Sequence, residues 1–150
     1  MVRLMRLYFD TCSLQRPLDD RSHPRILLEA EAMLALLAYC QRGQADLIVS
    51  DMVVFESRNN PHPQKREFVT AIIEHADERV ALTTAIEQRA ITFEQRGIKA
   101  VDALHLALAE AAQVDYFCTC DDRFYRRALD LADLHIKVRR PLELAQEIAI

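Results

Sequence analysis

Short apolar runs alternate with longer stretches of helical periodicity along this chain. Leu4 to Asp10 reads as a strand entering a core, its apolar residues ending at Asp10. Residues 11 to 24 carry Pro17, Asp19, Asp20 and Pro24 and read as a loop. Ile26, Leu27, Ala30, Met33, Leu34 and Leu37 then recur at helical spacing, with Ser22 placed to cap this helix and Gly43 to end it. Asp46 to Ser50 is a second strand. Met52 to Arg58 starts a short helix, broken by Asn59, Asn60, Pro61 and Pro63, and the next helix aligns Phe68, Ile72 and Ala76. Val80 to Leu82 reads as a brief strand. Thr84 and Glu87 have capping-box spacing for a helix that Gly97 stops. Ala100 to Ala112 is helical and nearly all apolar. Tyr116 to Cys120 is a strand, Asp121 or Asp122 caps a helix through Leu131, His135 to Val138 is a last strand, and Pro141 opens a terminal helix.

Strands separated by helices at this rhythm imply an α/β fold, a three-layer α/β/α sandwich around a mostly parallel sheet. The 150 residues fit one domain. Hydrophobic residues make up 51% of the chain, enough to argue against disorder, and only two glycines occur, which favours helices over an all-β fold.

Composition then narrows the chemistry. The net charge of −4 argues against gripping nucleic acid by overall charge alone. The basic residues nevertheless cluster as Arg16, Arg21, Arg25, as Arg123, Arg126, Arg127, and as Lys137, Arg139, Arg140. Each cluster taken alone reads as a solvated face. The four cysteines form no zinc pattern, and Cys118 and Cys120 read as small hydrophobes in a strand. No run has the length of a membrane span or signal peptide, so a cytoplasmic protein without membrane contact is expected.

In a parallel sheet, ligands bind beyond the carboxyl ends of the strands. Asp10 and Asp121 lie at such ends, and Glu56 lies about a turn after the second strand. Asp10 and Asp121 also suit plain helix capping, and Glu56 a plain surface position. Asp102 is harder to explain as filler. It sits in IKAVDALHLALA, and a carboxylate on a buried helix is costly unless paired or bound to a cation. His105 lies three residues on, placed to hydrogen-bond an acid, to orient substrate or to sit in the core or its rim. Carboxylates without histidine or thiolate ligands suit Mg²⁺ or Mn²⁺, and the matching chemistry is phosphodiester hydrolysis. An Asp-nucleophile phosphatase would want an acid at Cys12, and a receiver domain an acidic pair and a late Lys; neither pattern is clear.

These segments resemble the PIN-domain family, including the VapC-type toxins of bacterial toxin–antitoxin pairs. YFDTCS resembles its opening strand with metal-binding Asp10, AVDALHLALA the helix carrying Asp102, and CTCDDRF the segment whose first Asp, here Asp121, completes the cluster. The match of SDMVVFE is weaker and supplies Glu56. The resemblance implies a metal-dependent endoribonuclease with catalytic Asp10, Glu56, Asp102 and Asp121, and metal ligands Asp10, Asp102 and Asp121. It implies that Thr11, Ser13 and Thr119 hold the acids or a metal-bound water. Asp122 stands beside Asp121, and the choice between them stays open. RNA as substrate, a small antitoxin partner and a homodimer are further implications. A catalytically silent PIN fold that binds RNA or protein is the alternative, and the presence of all four acids counts against it.

Overall fold

The fold was analysed in a computed structural model that describes residues 3–148. Its elements run β1 (Met5–Phe9), α1 (Thr11–Gln15), a 3₁₀ turn (Arg16–Leu18), α2 (Pro24–Gln41), β2 (Ala45–Ser50), α3 (Asp51–Arg58), α4 (Pro63–Glu74), β3 (Glu78–Val80), α5 (Thr84–Gln95), α6 (Ala100–Ala111), β4 (Tyr116–Cys118), α7 (Asp122–Leu129), β5 (Lys137–Arg139) and α8 (Pro141–Ile148).

The strands form one sheet in the order β3-β2-β1-β4-β5, and all four pairings are parallel. The chain builds outward from β1 to β2 and β3, then returns to the other side of β1 for β4 and β5. Right-handed crossovers in opposite directions place their helices on opposite faces. The α2 crossover therefore lies on one face and the α5–α6 crossover on the other, giving the expected three-layer α/β/α sandwich. The central strands are buried from both sides. Leu7, Tyr8, Phe9, Ile48, Phe117 and Cys118 are all core residues, which is why the carboxyl-terminal halves of β1 and β2 and all of β4 are mostly apolar.

Several local expectations need correction. The stretch after Asp10 is not a loop: Asp10 caps α1, and Pro17 sits inside the 3₁₀ turn. The cap position of α2 is His23 rather than Ser22, without a side-chain bond, and Pro24 opens the helix at its first position, where no intrahelical N–H bond is needed. The buried stripe of α2 is rotated from the one expected. Ala30, Met33 and Leu36 are buried, whereas Leu27 and Leu34 are exposed. Glu29 joins the buried side because Arg16 and Arg25 reach it at 3.2 and 3.4 Å. The cap of α5 is Thr83, which accepts from the Ile86 N–H at 3.2 Å, so the pairing of Thr84 with Glu87 is not used.

Candidate metal centre

The order reversal between β1 and β4 creates a topological switch point, and the sequence places an acid there on both sides. Asp10 follows β1 directly, and its backbone N–H donates to the Cys118 carbonyl of β4 (3.2 Å). Asp121 follows β4. Helix α6 precedes β4 and runs back across the sheet, so its first turn, with Asp102, lies at the same edge as the end of β4. Helix α3 begins directly after β2, capped by the Ser50 hydroxyl on the Val53 N–H, which puts Glu56 at that edge too.

Capping and site geometry coincide here. The Asp10 Oδ1 accepts from the Ser13 N–H (3.1 Å) and from the Cys12 thiol (3.1 Å). The Asp121 Oδ1 accepts from the Phe124 N–H (3.0 Å). The Glu56 Oε1 accepts from the Thr11 hydroxyl and from His105 Nε2 (2.6 Å). Each of these three carboxylates is thus tied back through one oxygen. Among the described residues the other oxygen of each takes no protein hydrogen bond, nor does Asp102 take any. Capping thus fixes one oxygen of Asp10 and one of Asp121 and leaves the other oxygen of each without a bond among the described residues.

The electrostatics record the convergence. The Asp102 carboxyl is pushed up to about 6, first by its half-buried position and then by the negative charges of Asp10 and Asp121, with Glu56 adding and His105 opposing. Burial also pushes Glu56 up, but its hydrogen bonds from His105 and Thr11 together with the attraction of His105 outweigh that and hold it below its ordinary value. The donor set is all oxygen and mutually repelling, which fits a hard divalent cation. Among the described residues no three acidic, histidine or cysteine side chains already close on one point as the ligands of a single ion do.

The supporting residues separate by their contacts. Ser13 and Thr119 are fully buried; the Ser13 hydroxyl donates to the Cys118 carbonyl (3.2 Å), and the Thr119 hydroxyl accepts from the Asp121 N–H (3.1 Å). Both brace the turns that carry the acids. Asp122 is used elsewhere. Its two oxygens take the Arg25 guanidinium at 2.6 Å each, and Arg140 approaches at 3.2 Å, which holds its carboxyl below the ordinary range, the Arg25 hydrogen bonds contributing most. The choice left open between the neighbours therefore favours Asp121.

His105 is 2% exposed and forms the middle of a chain that the sequence did not reveal. Its Nδ1 meets the Tyr8 hydroxyl at 2.6 Å, and that hydroxyl meets the Ser50 hydroxyl at 2.7 Å. With His105 donating from Nε2 to Glu56, every proton has a place: Ser50 donates to Tyr8, and Tyr8 donates to Nδ1. Tyr8 went unnoticed because a tyrosine in a strand reads as core, and only strand pairing brings it to Ser50. Tyr8→Phe should leave the His105 Nδ1 buried without a partner and cost about 1–3 kcal/mol in urea unfolding. Unchanged stability would show that the chain of bonds contributes nothing to holding Glu56.

The carboxylate edge is shallow. A cleft of about 60 Å³ there is lined by Gly97, Lys99, Asp102, Asp121, Arg123 and Arg127, among others. A roomier apolar cavity of about 360 Å³ lies between α2 and α4, at the opposite end of β2. Its one carboxylate, Asp77, is bound to the Leu47 N–H at 2.8 Å, so it holds no comparable chemistry.

Comparisons with known proteins agree with this fold. A chain of the VapBC2 complex from Rickettsia felis, solved bound to a DNA fragment from their promoter, has a similar fold. Its TM-score is 0.56 at 14% identity, over 91% of this chain and 98% of that one. No curated protein matches the sequence. The family model for the PIN domain matches residues 7–129, which include all four acids and most of the sheet. On that match the chain belongs to the PIN-domain family.

Proposed function

We propose that this chain is a metal-dependent endoribonuclease and the toxin of a toxin–antitoxin pair. The observation that carries the nuclease reading is the meeting of Asp10, Glu56, Asp102 and Asp121 at one sheet edge, with the Asp102 carboxyl pushed up to about 6 by burial and its acidic neighbours. Asp10, Asp102 and Asp121 would hold Mg²⁺ or Mn²⁺, in keeping with the general use of divalent metals by PIN domains. When bound, the metal activates water and offsets charge on the phosphate and the departing oxygen.

The remaining work falls to the chain. The helix caps at Asp10 and Asp121 fix the direction of each ligand before substrate arrives, which lowers the reorganisation needed. Glu56 stays ionised and orients the attacking water through its free Oε2. His105 and Thr11 are positioning residues, holding Glu56 through the other oxygen. The water oxygen adds to phosphorus and releases a proton to solvent, the bond to the leaving ribose oxygen breaks, and that oxygen takes up a proton from solvent.

The toxin assignment is supported by the similarity to the Rickettsia felis VapBC2 complex, which suggests a small antitoxin as partner. A homodimer follows from the same family resemblance. The four cysteines are all unpaired thiols, and no described helix is long and apolar enough to cross a membrane, which supports placing the protein in a reducing cytoplasm.

Purified protein should cleave single-stranded or loop RNA when Mg²⁺ or Mn²⁺ is added, and EDTA should stop it. Cleavage that persists in excess EDTA would overturn the mechanism. Binding of RNA without cleavage at any metal concentration would assign a catalytically silent RNA-binding module instead.

A further inference from the structure

The fold treats the three basic clusters of the sequence differently. In the first, Arg16 pairs with Asp19 and Glu29, Arg21 with Glu31, and Arg25 with Glu29 and Asp122. In the third, Arg139 pairs with Glu147 and Arg140 with Asp122, while Lys137 lies over the Tyr116 ring. Among the described residues Arg123, Arg126 and Arg127 have neither an ion pair nor a side-chain hydrogen bond, and the same holds for Lys99. Three of these four, Lys99, Arg123 and Arg127, line the cleft that contains Asp102 and Asp121.

Helix stability does not explain two of the three positions. Lys99 occupies the cap position of α6 without making a capping bond, and Arg123 lies in the first turn of α7. Positive charge at a helix N-terminus opposes the macrodipole. Arg127, in the last turn of α7, is well placed for the dipole, but its head group lies over Gly97. A Cβ built on Gly97 would meet the Arg127 Nη1 at 2.8 Å, and the residue has φ +93°. The turn before α6 thus leaves room for a guanidinium at the edge of the cleft.

We infer that Lys99, Arg123 and Arg127 form a phosphate-binding wall that holds the RNA backbone along the α6–α7 side of the carboxylate cluster. The inference rests on the ribonuclease reading for its ligand. An acidic site repels a polyanion, and a protein with a net charge of −4 has no general attraction to offset that. Cations left unpaired beside the acids supply a local one. Arginine forks take phosphate oxygens in pairs, so phosphates flanking the scissile one are held while the scissile one faces the acids.

The test is fluorescence anisotropy of a labelled oligouridylate in EDTA, over a range of NaCl concentrations. Lys99→Ala, Arg123→Ala and Arg127→Ala are combined in one variant. Each phosphate contact to a single strand contributes about 0.7 to the slope of log K against log salt, so the slope should fall by roughly 2. Affinity at low salt should drop at least about tenfold, and the exposed positions predict an unchanged melting temperature. Arg123→Lys with Arg127→Lys should keep the slope, because charge is preserved. Arg42→Ala, remote from the cleft, should change neither quantity.

Wild-type affinity and slope in the triple variant would overturn the wall, as would absence of RNA binding by the wild type. Competition by polyglutamate equal to that by RNA of the same length would also overturn it, in favour of an acidic protein partner. Cleavage with Mn²⁺ is measured separately. A wild type that cleaves while the triple variant binds normally rejects the wall alone. A wild type that never cleaves, with a triple variant that loses RNA binding, supports the wall and rejects the nuclease reading.

Discussion

Asp10→Asn should lower RNA cleavage at saturating Mn²⁺ by at least about a hundredfold. Groups that merely orient a metal ligand commonly contribute about 10–100-fold to affinity or activity, and removing charge from a ligand itself should reach or exceed the upper end of that range. The substitution isolates the charge. Asn caps a helix about as well as Asp, so its side-chain oxygen can still accept from the Ser13 N–H and hold α1 in place. Melting of the metal-free variant should therefore match or exceed that of the wild type. Cleavage within a few-fold of the wild type would remove Asp10 from the site.

Replacing Asp102 by Asn should separate metal binding from stability. In the folded protein the Asp102 carboxyl is raised from an ordinary 3.8 to about 6, by burial first and by the charges of Asp10 and Asp121 next. A raised acid destabilises the fold in its ionised form. That penalty is absent below pH about 4, grows as pH rises towards about 6, and is full above it. Metal-free wild type should consequently lose melting temperature across that interval, and Asp102→Asn should lose less. At neutral pH the variant should melt at or above the wild-type temperature. Added Mn²⁺ should raise the wild-type melting temperature, since a ligand that binds only the folded state stabilises it by RT ln(1 + [L]/Kd). The variant should show little of that rise. A lower metal-free melting temperature with a full Mn²⁺ response would identify Asp102 as a structural residue instead.

Both results bear on why an acid sits in the first turn of α6. The helix dipole favours a carboxylate there, by roughly 0.3–1 kcal/mol. The surroundings of Asp102 work against it: partial burial among apolar helix neighbours, and the charges of three further acids, Asp10, Asp121 and Glu56. A site that pays this in the metal-free state is expected where the cation is part of the functional protein.

What the sequence determined by itself is local. Short apolar stretches, Leu7–Phe9 in β1, Leu47–Val49 in β2 and Tyr116–Cys118 in β4, marked strands of a sheet covered on both faces, and that property needs only consecutive residues to see. Gly43 and Gly97, with φ of +75° and +93°, ended their helices as expected, because few other residues adopt that backbone conformation. Asp10 and Asp121 stood at strand ends, and a parallel sheet brings such ends to one edge, so a shared edge for the two was legible before any coordinates. The sharp acid in an apolar helix made Asp102 visible for the same local reason.

Tertiary structure decided what depends on partners distant in the chain. Asp122 and Asp121 are neighbours of identical chemistry; they are told apart by Arg25, 97 residues away, which takes both oxygens of Asp122. The burial of Glu29, and with it the rotation of α2, depends on Arg16 and Arg25 arriving together at its carboxylate. The link from Glu56 through His105 and Tyr8 to Ser50 joins α3, α6, β1 and β2, and exists only because β1 pairs with β2. The three basic clusters looked alike in sequence, since charge pairing leaves no periodicity. Only the fold shows that two of them are largely spent on carboxylates, while among the described residues Arg123 and Arg127 have no ion pair and lie beside Asp102 and Asp121.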